Sequence, residues 1–419
     1  MTVDVVTGSP HHSMTLDDPP EVARNLFPFT PTREGRSDGC VLIFYAAFTG
    51  LNLALFVILV PNSSRAESQR IFFRRGRPGN TGCFKVSMDV GLNVRDYIDD
   101  PTRPMHEQLD EAAEIFRQAR GMGFTTIYMP QHFIAHPTRW PQPMEILSRL
   151  APDAEGMRLM TGIMLLTYHN PVDIAEQVAT LDQISNGRFT LGVGLGYVEK
   201  ELEAFGTNRA ERVSRLEESI ALIKELWTGE EVNHEGQHWT VRGGRMGMTP
   251  VQEPHPPIWL AAQSRGAVRR AARIADACLM GPQPKWEDID NLAAMYWEAI
   301  AEQPGKTGHL TASRSMSVAR DRETAVSQAI AAGEAKAGLY TNFNMQESTT
   351  VDLGLGGSRD LDQWAIVGNP QDCAETIMRC HEANDLDHIG LGALNLPNGK
   401  TARLEYLQLI SEELLPLLK

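Results

Sequence analysis

A histidine in the segment YMPQHF, His132, follows a short apolar run that reads as a strand. An imidazole titrates near neutrality, so a histidine at the exit of a strand is suited to move a proton. The alternative is a histidine that only packs or hydrogen-bonds. His136 stands four residues further on, a spacing that would put both rings on one helical face. Pro137 biases residue 136 away from helical backbone, however, and no acidic ligand accompanies His132, His136 and His169 in a strand-end pair, so no metal site is expected. Schiff-base chemistry is also excluded, because no lysine ends the strand-like segment ADACLMG.

An anion has a better site in PPIWLAAQSRGAVRRAARIADACLMG. Ser264 and Gly266 fall at the start of a helical pattern, where free amides and the helix dipole attract negative charge and a hydroxyl donates one more bond. Ser264 as a plain N-cap uses the same amides, so both readings stand. A second glycine-rich stretch, FTLGVGLGYVEK, places Gly192, Gly194 and Gly196 at the end of the apolar run Phe189, Leu191 and Val193, as a buried parallel strand entering a ligand-facing loop would. It is not a dinucleotide fingerprint. Tyr197 and Glu199 occupy the third glycine positions, and the following helical pattern starts too late to meet a pyrophosphate.

These residues need a scaffold that brings strand ends together, and the chain supplies one by alternation. Strands are expected at 84–91, 124–129, 158–166, 188–194, 257–262, 276–280, 313–319 and 387–394, with helices at 106–121, 144–150, 170–185, 209–228, 265–274, 286–302, 322–338 and 400–418. Such βα repetition predicts an α/β fold, a TIM (β/α)8 barrel. In its third unit Asn170 caps, Pro171 sits at N1, and Asn186 and Gly187 stop the helix. In the fourth, Asn208 and Glu211 are expected to form a capping box. Two insertions, 230–256 and 341–366, the latter before an extra helix at 370–384, are expected after strands, as lids or substrate selectors.

The chain has 419 residues, 42% of them hydrophobic, enough to bury a full core. A net charge of −14 without basic, aromatic-interleaved tracts argues against a nucleic-acid partner. Cys40, Cys83, Cys278, Cys373 and Cys380 form no CxxC pair, which fits separate thiols in a reducing compartment. Residues 1–83 read as an extension. Residues 1–40 lack periodicity and read as disordered. Residues 41–60 carry no charge over a length that could cross a bilayer, with Arg65, Arg70, Arg74, Arg75 and Arg77 following. The preferred reading of this run is sequence upstream of a later true start, with an inner-membrane anchor as the alternative; either leaves residues 84–419 on the cytoplasmic side.

The segments TYHNPVDIAEQVATLDQISNGRFTLGVGLG, ELEAFG, RVSRLEESIALIKELWTG, HPPIWLAAQSRGAVRRAARIADACLMG and AIVGNPQDCAETI resemble, in order, the luciferase-like monooxygenase family of flavin- or F420-dependent enzymes. The resemblance covers roughly residues 84–419. It implies a cofactor at the C-terminal mouth of the barrel, FMN preferred and coenzyme F420 the alternative, with a small organic substrate, a homodimer and, since no nicotinamide fingerprint appears, a separate flavin reductase. It implies a flavin-side histidine at His132, although luciferase uses the preceding position, here Gln131. Cofactor contacts carry over to Ile163, Met164, Gly194 and Tyr197, and the phosphate contacts to Gln263, Ser264, Gly266 and Ala267. A non-proline cis peptide is implied near Ile163–Met164. Leu195 and Tyr197 stand where luciferase has an arginine and the F420-dependent dehydrogenases an acid, so neither specialised pattern is intact.

Overall fold

Eight parallel strands carry the site. The computed structural model describes residues 88–136, 138–282, 284–342 and 361–419, and the backbone of five strands within residues 2–61. The strands are β1 (Asp89–Asn93), β2 (Thr126–Met129), β3 (Arg158–Thr161, resuming at Met164–Leu165), β4 (Phe189–Gly194), β5 (Ile258–Ala262), β6 (Ala277–Met280), β7 (Leu310–Val318) and β8 (Leu386–Ala393). Each pairs in parallel with the next, β8 pairs with β1, and β4 pairs with β5, so the sheet closes on itself. This is a TIM barrel, with helices between the strands.

Strand alternation divides the side chains into two layers. Val90, Leu92, Ile127, Leu159, Leu191, Val193, Ile258 and Leu260 face outward into one continuous core shared with the helices. Tyr128, Met160, Trp259 and Ala277 pack together as a separate cluster. The Trp259 ring stands edge-on to His388, and the Arg158 guanidinium lies over Trp259. Side chains therefore fill the barrel, which is a packed core and not a pore.

The helices are α1 (Met105–Ala119), α2 (Pro143–Leu150), α3 (Pro171–Ser185), α4 (Glu199–Ala204), α5 (Arg212–Trp227), α6 (Arg265–Ile274), α7 (Trp286–Ala301), α8 (Arg322–Asn342), α9 (Pro370–Asn384) and α10 (Lys400–Leu409). Helix α3 has the expected ends: Asn170 accepts from the Val172 amide, and Asn186 takes the left-handed conformation that closes the last turn. The fourth unit differs from expectation. Helix α5 begins at Arg212, while Asn208 accepts from the Ala210 and Glu211 amides in a separate turn. Between β4 and Asn208 the chain forms α4, too short to leave a periodic signal.

The placement of the insertions is also corrected. Residues 230–256 follow helix α5 and not a strand; they form a hairpin, Val232–Glu235 with Thr240–Gly244. Glu218 and Ser219 of α5 hold its tip through the His238 and Trp239 amides and the Trp239 indole. The returning chain bonds Asp182 through the Val251 and Gln252 amides, near where β4 begins. Most of the second insertion, 343–360, lies outside the described residues; Ile366–Gly368 beyond it pairs in parallel with β7.

Residues Met1–Lys85 form a unit separate from Val86–Lys419. In it, Thr2–Val5 pairs with His12–Thr15, and Thr30–Ser37, Cys40–Thr49 and Asn52–Pro61 form an antiparallel sheet. The uncharged run therefore folds as two paired strands and not as the single span that the anchor alternative would need. Its Val, Ile, Phe and Tyr content favours strands. No helix among the described residues is long and apolar enough to cross a membrane. Cys83 and residues 62–87 lie outside the described residues; Cys278, Cys373 and Cys380 are buried free thiols.

Candidate active site at the strand exits

Gln131 and His132 leave β2 side by side and do different things. Gln131 is buried, and its side chain is fully engaged: Oε1 accepts from the Leu165 amide at 2.8 Å and lies 3.1 Å from His169 Nε2, while Nε2 donates to Gln142 at 2.8 Å. Its amide donates to the Ile163 carbonyl. Gln131 thus ties the exit of β2 to that of β3. Burial also lowers His169 to a pKa of about 4, so that ring is neutral beside the amide.

His132 is exposed at 12% of its side chain. Its Nδ1 lies 2.9 Å from Glu201 Oε1, and Nε2 lies 3.5 Å from the Tyr197 hydroxyl. Trp140 stands edge-on at 4.7 Å between centroids, with the Arg95 guanidinium 4.1 Å over the Trp140 ring. The structure therefore joins two predicted residues, His132 and Tyr197, from β2 and the loop after β4. It adds Glu201, Trp140 and Tyr168, which sequence reasoning missed. Glu201 lies in ELEAFG, a segment singled out only for its family likeness. Tyr168 bonds Glu201 and stacks on Phe205 at 5.1 Å; burial, reinforced by the Glu201 charge, raises its pKa.

The glycines of β4 have a packing reason. A cis peptide joins Gly162 and Ile163, one residue before the expected position, and this part of β3 presses on β4. A Cβ at Gly192 would lie 2.0 Å from the Thr161 carbonyl oxygen, and one at Gly194 would lie 2.0 Å from Ile163 Cδ1. Ile163, not open space, therefore covers the side-chain direction of Gly194. Met164 is buried in the core between strands and helices, facing away from the mouth. Any cofactor contact by Gly194 or Met164 has to use the backbone.

At the exit of β5, Ser264 has the extended backbone of an N-cap, and its Oγ accepts from the Ala267 amide at 3.4 Å. Gln263, Ser264 and Gly266 are exposed, and Ala267 is buried. A Cβ built at Gly266 meets nothing within 4 Å, so the approach to the first turn of α6 is open. Exposed amides at the start of a helix, a hydroxyl and a glycine without a side chain fit a phosphate group.

The sequence profile of the family described as luciferase-like monooxygenase matches residues 88–385, more than half of the chain. The chain belongs to this family. It is 33% identical to the oxygenase component of the flavin-dependent trigonelline monooxygenase of Acinetobacter baylyi over 156 residues, 37% of this chain and 43% of that protein. It is 30% identical to the F420-dependent glucose-6-phosphate dehydrogenase of Amycolatopsis mediterranei over 168 residues, 38% of this chain and 49% of that one. The chain thus matches about half the length of these relatives. Among solved structures, the oxygenating constituent of the Pseudomonas putida 3,6-diketocamphane monooxygenase, in complex with FMN, superposes with a TM-score of 0.67 at 20% identity, covering 79% of this chain and 98% of that one. The F420-dependent tetrahydromethanopterin reductase of Methanopyrus kandleri gives 0.62 at 18% identity, covering 80% and 100%. These likenesses establish the barrel; the family members they sample use either cofactor.

Proposed function

We propose that this luciferase-like protein is an FMN-dependent monooxygenase that oxidises a small organic substrate and receives reduced flavin from a separate reductase. The observation that carries the choice of FMN is the open helix start at Ser264 and Gly266, whose amides and hydroxyl suit a compact terminal phosphate. The separate reductase is supported by the relative that is itself an oxygenase component. A homodimer and a cytoplasmic location belong to this reading through the family resemblance.

When bound, reduced FMN supplies the oxygen chemistry. The chain binds, orients and excludes water. Gln263, Ser264, Gly266 and Ala267 would hold the phosphate. Ile163, which covers the side-chain direction of Gly194, would support the flavin, and Gly194 and Met164 would offer only their backbones. His132 Nε2, 3.5 Å from the Tyr197 hydroxyl, would hold or pass a proton. The aromatic group of Phe133, Tyr168 and Phe205 shields the Glu201 side of His132 from solvent.

Titration of the apoprotein with reduced FMN and with reduced F420, followed by oxygen uptake on mixing with air, tests this. The expected result is tight binding of reduced FMN and oxygen consumption that depends on it. Tight binding of reduced F420 alone, with substrate reduction in the absence of oxygen, would replace the proposal with hydride transfer from F420. Unaltered turnover in His132→Asn would remove the proton role from this residue.

A further inference from the structure

We infer that Glu201 is the positioning residue of His132, fixing its imidazole as the Nδ1–H tautomer so that Nε2 is the proton-accepting atom; the inference rests on the proposed proton role of His132. Glu201 is 1% exposed and belongs to α4, the short helix that follows the β4 glycines. Its Oε1 accepts the Phe133 backbone N–H at 2.8 Å, and His132 Nδ1 lies 2.9 Å from the same oxygen. A backbone amide can only donate, so Oε1 acts as an acceptor, and a ring nitrogen at that distance has to bring the proton. Oε2 takes the Tyr168 hydroxyl at 3.4 Å, which occupies the other side of the carboxylate.

With Nδ1 protonated, a neutral ring leaves Nε2 bare, and Nε2 is the nitrogen that faces the Tyr197 hydroxyl. Contacts restrain the ring: Trp140 and Tyr197 stand edge-on to it at 4.7 and 5.7 Å between centroids, and the His132 carbonyl is held by Gln142 Nε2 at 3.3 Å. Glu201 and Tyr197 are the titratable groups in contact with the ring, and Arg95 stands behind Trp140. Around Glu201, Tyr168 is flanked by Arg212 and Glu199, and Arg209 bonds the Tyr197 carbonyl and Glu199. None of these supplies another acceptor to Nδ1. The arrangement has the logic of a buried acid that orients a histidine base, with the acid two loops away from the base in sequence.

Long-range 1H–15N correlation spectra of the whole protein at pH 8.5 read the tautomer directly and need no cofactor or substrate. His132 is identified by the signal lost in His132→Asn. In the wild type, Nδ1 is expected to be the protonated nitrogen and Nε2 the bare one. Glu201→Gln keeps an acceptor oxygen and should keep this pattern. Glu201→Leu should shift most of the population to Nε2–H and lower turnover by about a hundredfold or more, with a smaller change in KM. A wild-type ring protonated on Nε2 overturns the inference without any variant, as does an unchanged Nδ1–H pattern in a folded Glu201→Leu protein. If the tautomer behaves as expected but His132→Asn turns over normally, the proton role fails while the positioning stands.

Discussion

His388 sits inside the barrel with both ring nitrogens lacking a hydrogen-bond partner among the described residues. Trp259 stands edge-on to it, and a Cβ added at Gly91 would lie 3.0 Å from Nε2. Burial, assisted by the Arg158 charge, lowers its pKa to about 3 from an ordinary 6.5. The sign follows from linkage. The folded state refuses a proton that the unfolded state accepts below pH 6.5, so stability is fully present above that value and is lost as pH falls from 6.5 toward 3. One pKa unit corresponds to about 1.4 kcal/mol, so at pH 5 this residue alone costs about 2 kcal/mol relative to pH 8. Denaturant unfolding of wild type and His388→Gln at pH 8, 6.5 and 5 measures it. The glutamine cannot ionise, so the variant should lose about 2 kcal/mol less than wild type between pH 8 and 5. His169, lowered to about 4, acts in the same direction in both proteins and cancels from the comparison. Parallel stability profiles for the two proteins would show that His388 accepts its proton in the folded state, and that the barrel interior is wetter than its packing indicates.

Ser264→Asp separates anchoring from capping: aspartate caps as well as serine, so apoprotein melting should hold. A phosphate at the same amides would meet a second anion at a cost of about 4 kcal/mol, roughly a thousandfold in FMN affinity, whereas Ser264→Ala should lose only part. Undiminished affinity in the aspartate variant places the phosphate elsewhere. Arg314 is fully buried with its charge over Trp286 and one guanidinium nitrogen on the Gly281 carbonyl, while Nε and Nη2 lack partners among the described residues. Its pKa falls to about 10 through burial. Arg314→Met should be neutral or stabilising by up to about 2 kcal/mol in thermal melts; a clear loss of stability would reveal an acceptor for the guanidinium.

The barrel was legible because each unit carries its own periodic signal. Alternating apolar runs gave β4, β5 and β6 within a residue or two, and Asn170 and Pro171 gave the start of α3, since caps and turns are local physics. Helix α4 and the late start of α5 were not legible: six residues without a long apolar stripe take their conformation from what they bury, here Glu201 and Leu202.

The candidate site divides in the same way. The sequence by itself determined the family, the barrel, and the presence of His132, Tyr197 and Ser264 near strand ends, because those follow from residue type and position along the chain. Only the tertiary structure decided that His132 meets Glu201 and Tyr197 while Gln131 bonds residues 11 to 38 positions away. Glu201 reaches His132 across 69 positions, a pairing that no spacing rule encodes. The glycines of β4 likewise read as a ligand loop in sequence, but Thr161 and Ile163 of the neighbouring strand occupy the space beside Gly192 and Gly194. Contacts between strands distant in sequence form only when the barrel closes, so chain order leaves them unspecified and packing fixes them.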